Sequence, residues 1–310
     1  MRARAGAGAI ARRARVVPAP GRGLGTALAF LALLALLAPR GGAAAEPPVF
    51  SERSAGIETL ELENGLRVVL MPNLAQPMVG AYVAVGVGSA REDLATSGMS
   101  HMLEHLLFNG TETMTQEELY AAADLAGAYN NANTADFHTS FMMVLPAANL
   151  ETGLRLQSQM LFHSTLPPEK FAKERGVVLG ELVAARDDPA HAAAEAERRA
   201  LWGGTSLELP TLGTRATIAH LDRDDTYAFY KAWYVPNNMT LTLAGNFDRD
   251  GALRLVERYY GAAAPRPLPA DELRGPPPLR TSARESRSGG GPRSSPGGAL
   301  LRRRRAAAEV

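Results

Sequence analysis

Gly98-Met99-Ser100-His101-Met102-Leu103-Glu104-His105-Leu106-Leu107-Phe108 is the stretch on which the reading of this chain turns. On a helix, two histidines four apart point the same way, one turn above the other. Two neutral imidazoles at that spacing can bind one metal ion, and zinc is the usual occupant. Glu104, three residues after His101 and next to His105, edges the same face, where a carboxylate can take a proton from water without being a ligand. Met102, Leu103, Leu106, Leu107 and Phe108 fill the remaining surface. The stretch therefore predicts a buried helix with one polar edge, from near Ser97 to Asn109-Gly110, and that edge reads as an active site.

Working outward, the next candidates lie on a second helix, expected from Pro167 to about Arg186. It carries Glu174 and Glu181, seven apart and so on one face. A catalytic zinc site takes three protein ligands and keeps one position open, and the two histidines supply only two. Helix geometry alone leaves the reading of these glutamates open: a metal ligand, or else a solvated acidic edge or a salt bridge to Lys173 or Arg175. His138, in an alternating strand, reads as a core or rim residue, and His163, His191 and His220 as surface or capping residues.

The remaining pattern predicts an α+β fold, a mostly antiparallel sheet with helices packed on one side. Residues 58–63 and 66–71 alternate about Asn64-Gly65, which reads as a hairpin with a tight turn. Met78 to Val87 reads as an interior strand, followed by a loop from Gly88 to Glu92 and beyond. A helix opens with a threonine cap and early acids at 113–118 and closes at Gly127. Extended segments at 128–134 and 137–145, helices at 149–163, 190–201, 224–233 and 249–260, and a late strand at 239–244 complete the series.

The 310 residues are 46% hydrophobic, enough for a core without staples. The near-neutral total hides an uneven distribution. Residues 46–270 hold 17 basic and 28 acidic side chains, a balance of −11, between basic ends. An acidic body argues against a nucleic-acid partner, despite the Arg302–Arg305 run. Residues 1–45 hold seven arginines and no acid, then an apolar stretch (24–37) and Ala43-Ala44-Ala45 before Glu46. That is the order of a secretory signal peptide with an Ala-x-Ala cleavage site. A retained membrane anchor is the competing reading, against which the apolar stretch is short for a spanning helix. Cysteine is absent, so disulfides and a lipoprotein anchor are excluded. The expected address is periplasmic or secreted, in a bacterium. Residues 269–310, rich in Pro, Gly, Ser and Arg, read as a disordered tail, which leaves 46–268 as the folded domain.

His101-x-x-Glu104-His105, followed by Glu174-Arg175-x-x-Val178-x-x-Glu181, resembles the insulinase/pitrilysin family of zinc metallopeptidases, which includes the mitochondrial processing peptidases. Gly88-Ser89-Ala90-Arg91-Glu92, Asn131-Ala132-Asn133-Thr134 and Tyr234-Val235-Pro236-Asn237-Asn238 stand in that family's order, and the likeness covers roughly 55–265. It implies one Zn2+ per chain, held by His101, His105 and Glu181. It further implies Glu104 as general base, Glu174 as a carboxylate orienting His105 or the water, and Asn131 and Ala132 at an edge strand that receives substrate backbone. Members usually have a second domain of similar fold, and recognisable sequence here stops near Pro265. The resemblance therefore implies an endopeptidase acting on peptides or unfolded protein, working with a second-domain protein or as a homodimer. A metal-binding half that needs a partner and an inactive truncated fragment are the alternatives.

Overall fold

The computed structural model describes residues 50–270 except residue 55. The expected signal peptide (1–45) and nearly all of the expected tail (269–310) lie outside the described residues. Fifteen principal elements follow in order: β1 (Phe50–Ser54), β2 (Ile57–Glu61), β3 (Arg67–Pro72), β4 (Met78–Val85), α1 (Met99–Leu106), α2 (Gln116–Leu125), β5 (Tyr129–Thr134), β6 (Thr139–Pro146), α3 (Leu150–His163), α4 (Pro168–Asp187), α5 (Pro189–Trp202), α6 (Arg215–His220), α7 (Arg223–Trp233), β7 (Met239–Gly245) and α8 (Arg249–Tyr260).

The strands form one seven-stranded sheet in the order β1-β2-β3-β7-β4-β6-β5. Every pairing is antiparallel except β3 with β7. The expected α+β architecture is therefore present. One face of the sheet is buried because the strands alternate. In β4, Val79, Ala81, Val83 and Val85 point into the core while Met78 and Tyr82 stay partly exposed. Helix α3 lies against the buried face, and Gly153 lets it approach closely: a Cβ there would meet Leu145 Cδ1 at 2.9 Å. Gln157, also on α3, is buried without being orphaned. Its amide donates to the carbonyls of Ala81 and Phe141, and its oxygen accepts the Tyr260 hydroxyl of α8 at 2.9 Å.

One local expectation changes, and β1 and α6 are elements the pattern did not predict. The β2–β3 hairpin forms, with Glu61 opposite Arg67, but Asn64-Gly65 is not a two-residue turn. The loop runs from Leu62 to Leu66, closed by the Leu62 N–H donating to the Leu66 carbonyl at 2.9 Å. Asn64 is buried, and its amide donates to the carbonyls of Tyr260, Gly261 and Ala263. Tertiary capping of α8 wins over local turn chemistry here. The sequence leaves the place of β7 open. Arriving last, it enters the middle of the sheet, between β3 and β4, and so makes the one parallel pairing.

Candidate metal centre

Helix α1 presents its histidines as the spacing requires. Met99, Ser100, His101, Met102, Leu103 and Leu106 are all buried, so the helix is clamped in the core. The imidazoles of His101 and His105 stand edge to face with centroids 4.8 Å apart. Both Nε2 atoms approach one carboxylate oxygen on α4: Glu181 Oε2 lies 3.6 Å from His101 Nε2 and 3.7 Å from His105 Nε2. These separations are too long for good hydrogen bonds. Zinc ligands at ~2.0–2.1 Å in tetrahedral array stand roughly 3.3 Å apart, so the three atoms are spaced as a ligand set slightly expanded. Among the described residues, His101, His105 and Glu181 are the group of three that could hold a metal ion.

The tautomers agree. His105 Nδ1 lies 3.2 Å from Glu174 Oε2. A carboxylate accepts, so Nδ1 carries the proton and Nε2 keeps its lone pair for the side facing Glu181. Burial, and then the neighbouring His105, push His101 down to about 4, so it is neutral at physiological pH. Its Nδ1 has no hydrogen-bond partner. A buried, neutral imidazole whose other nitrogen faces a carboxylate it does not hydrogen-bond is chemically suited to a metal ion.

Helix α4 is set against α1 by contacts at its N-terminal end. Asn109 caps the C-terminal end of α1 by donating from its amide to the His105 carbonyl at 3.0 Å. Gln116 donates to Asn109, and Lys170, in the first turn of α4, donates to Gln116 at 2.5 Å. Just before α4, Leu166 is buried with φ of +43°, and Arg223 holds its carbonyl and that of Thr165. Glu174 is consequently buried against His105, not paired with Lys173 or Arg175. Glu181 sits one step further along, with its side chain 42% exposed. The solvated-edge reading fails for Glu174 and survives only as partial exposure of Glu181.

Glu104 lies beside His105, and its Oε2 accepts the Thr134 hydroxyl at 2.5 Å. Burial raises its carboxyl above the usual range, and the Thr134 bond opposes that shift. Strand β5, which carries Thr134, is the edge of the sheet. Its side chains alternate, Tyr129, Asn131 and Asn133 outward, Asn130, Ala132 and Thr134 inward. Asn131 and Ala132 thus share the edge but not the face. Together with Glu104, His105, Phe108 and Glu174 they line one open cavity of about 210 Å³.

In the sequence Thr134 stands out only as the last residue of Asn131-Ala132-Asn133-Thr134. Strand parity with Ala132 was the available signal for its contact with Glu104. The other histidines are not in this group: His138 lies just before β6, His163 faces Glu112 at 3.2 Å, His191 faces Glu195 at 3.4 Å, and His220 bonds within α6.

Residues 67–215 match the family model described as Insulinase (Peptidase family M16), and residues 220–295 match that described as Peptidase M16 inactive domain. An uncharacterized zinc protease of Mycobacterium leprae is 32% identical over 243 residues, covering 76% of this chain and 54% of that protein. Another, from Bacillus subtilis, is 31% identical over 206 residues, covering 66% and 50%. The chain thus spans about half the length of the curated relatives it matches. Among solved structures, the periplasmic protease PqqL of Escherichia coli superposes with a TM-score of 0.67 at 26% identity, over 75% of this chain and 26% of that one. A protease from Helicobacter pylori, at 24% identity and TM-score 0.66 over 70% and 53%, shares the fold. With adjoining matches to two models of one peptidase family and relatives of the same kind, this chain belongs to the insulinase family, peptidase family M16.

Proposed function

We propose that this chain is the metal-bearing half of a zinc-dependent endopeptidase that cleaves peptides or unfolded protein segments. The observation that carries it is the convergence of His101, His105 and Glu181 on one point, with the Glu104 carboxylate alongside. The three residues would hold one Zn2+ per chain. Glu174 keeps the His105 proton on Nδ1 and so keeps Nε2 available. When bound, zinc supplies Lewis-acid polarisation of the scissile carbonyl and makes water acidic enough to lose a proton near neutrality.

Glu104 then does the proton work. Its Oε2 is held by Thr134, which leaves Oε1 to accept the proton of the attacking water. The water oxygen bonds to the scissile carbon, the C–N bond breaks, and Glu104 returns the proton to the leaving amine. Substrate in extended form would pair with β5 at Asn131 and Ala132, since the edge strand has one side open to a new strand. Main-chain pairing makes little demand on sequence. One solved neighbour, the ferredoxin protease FusC, was captured with Arabidopsis ferredoxin, which supports a protein or peptide substrate.

The described residues build one side of the site. The chain spans about half of its curated relatives, so we assign the opposite wall to a second domain of similar fold, in a partner protein or a second copy. Water exclusion and substrate orientation would come from both walls. The proposed domain plan is a cleaved signal peptide (1–45), a metallopeptidase domain (46–268) and a tail (269–310), in an exported, periplasmic or secreted protein. The periplasmic neighbour supports that address. No helix of the described residues is long and apolar enough to cross a membrane.

The test is cleavage of a quenched flexible peptide by the full chain, with and without chelator, beside Glu104→Gln and with metal content measured. Chelator-sensitive turnover lost in the variant supports a peptidase that works as one half or as a homodimer. Stoichiometric zinc without turnover supports a half that needs a partner. A chain that binds no zinc sinks the reading.

A further inference from the structure

The N-terminus of α1 is built without a capping side chain of its own. Gly98, the residue before Met99, has φ of +90°, in the left-handed region that favours glycine. A Cβ there would also fall 2.6 Å from Ile218 Cδ1 and 2.8 Å from Gly213 Cα. Backbone and space together forbid the Ser, Thr, Asn or Asp that ordinarily accepts the first N–H groups of a helix. Those donors still need acceptors, because this turn is buried and water does not reach it.

The acceptor comes from six residues upstream. Glu92 Oε2 accepts the Gly98 N–H and Oε1 accepts the Ser100 N–H, each at 2.7 Å. The carboxyl group is almost wholly buried, 4% exposed, with one oxygen committed to each donor. The loop between is shaped independently: Asp93 Oδ1 accepts the N–H groups of Ala95 and Thr96 at 2.8 and 2.9 Å. Ser100 is followed directly by His101, so the turn gripped by Glu92 is the turn that aims the first imidazole.

We propose that Glu92 is a positioning residue of the metal centre: its carboxylate replaces the missing cap of α1 and fixes the turn that presents His101. This rests on reading His101 as a ligand. Glu92 touches neither metal nor substrate, so its effect travels through the backbone.

The test uses the full chain as wild type, Glu92→Gln and Glu92→Asp, with folding checked by circular dichroism. Zinc affinity is measured by competition with a chromophoric chelator. Amide hydrogen exchange at Gly98 and Ser100 is measured on the zinc-free protein at pH 8. In Glu92→Gln a donor faces a donor, so exchange rises at those two amides while Val256 in α8 stays protected. The zinc Kd rises roughly two- to thirtyfold, the equivalent of a lost cap. Glu92→Asp, charged but one methylene short, falls between and provides the graded case if the glutamine variant does not fold. Unchanged exchange at both amides overturns the cap. Raised exchange with unchanged zinc affinity in the folded variants overturns the positioning role, since a purely structural contact moves stability and not the Kd. A wild type without zinc binding overturns the ligand reading instead, and the exchange result then decides the cap alone.

Discussion

Helices α1 and α4 face each other across the metal centre and are built in opposite ways. Six of the eight residues of α1 are buried, whereas on α4 only Phe171, Glu174 and Val178 of its twenty are. The His101 side chain is 11% exposed, against 42% for that of Glu181. One wall is fixed by the core, and the other carries a carboxylate on a half-solvated helix, tied down at its first turn and at Glu174. A site of this design would hold the two proposed histidine ligands rigidly and let the third, Glu181, adjust. Core packing and strand order decide where the histidines are, but only a few polar contacts decide where Glu181 is.

The strongest test of the contrast is chemical. Glu104→Gln keeps shape and neighbours but removes the proton acceptor, so kcat should fall about 10²- to 10⁴-fold with zinc retained; steady-state kinetics and metal analysis measure both. Equal activity would remove Glu104 from the proton path. Next comes packing. Leu106→Ala on α1 deletes a fully buried side chain and should cost about 2–5 kcal/mol in denaturant unfolding. Val183→Ala, half-exposed on α4, should stay within about 0.5 kcal/mol. Comparable losses at the two positions would erase the difference between the walls.

Glu174→Gln tests the tie between them. It weakens the charged acceptor of His105 Nδ1 and should raise the zinc Kd about 10- to 100-fold, measured by chelator competition. A smaller effect is expected from pH. Burial pushes the Glu92 carboxyl up to about 7, against the Ser100 and Gly98 N–H bonds that pull it down. With the folded-state value above that of the unfolded chain, the folded protein holds the extra proton. The stabilising contribution is then full below the unfolded value near 4.5 and is lost as pH rises through about 7. The stability difference between wild type and Glu92→Gln should therefore shrink from pH 4.5 to about 7 and level off above it, where only the two accepted N–H bonds still separate them, in denaturant titrations of the zinc-free protein. A constant difference would show that Glu92 does not titrate there.

Much of this was legible locally. The i, i+4 histidines and the apolar residues around them specify a buried helix with one metal-facing edge, because helical period leaves no other common side. The capping box of Thr115 and Glu118 and the Pro-rich start of α4 likewise fix their helix ends in the sequence. Asn64-Gly65 misleads because a buried asparagine gains more from three carbonyls at the end of α8 than from a tight turn. Thr134 and Glu92 were silent for another reason. Each acts on α1 from a segment whose position beside it depends on the whole sheet and loop being in place.

By itself the sequence determined most of the elements, the acidic body, the pair of histidines and two candidate glutamates on a second helix, since periodicity and spacing are properties of a few neighbouring residues. Tertiary structure alone decided that Glu174 is buried against His105 while Glu181 turns toward both Nε2 atoms. It also decided that β7 enters the middle of the sheet and that a carboxylate six residues away caps the active helix. Those outcomes depend on contacts across tens of residues, where desolvation and packing choose among partners that local spacing leaves equal.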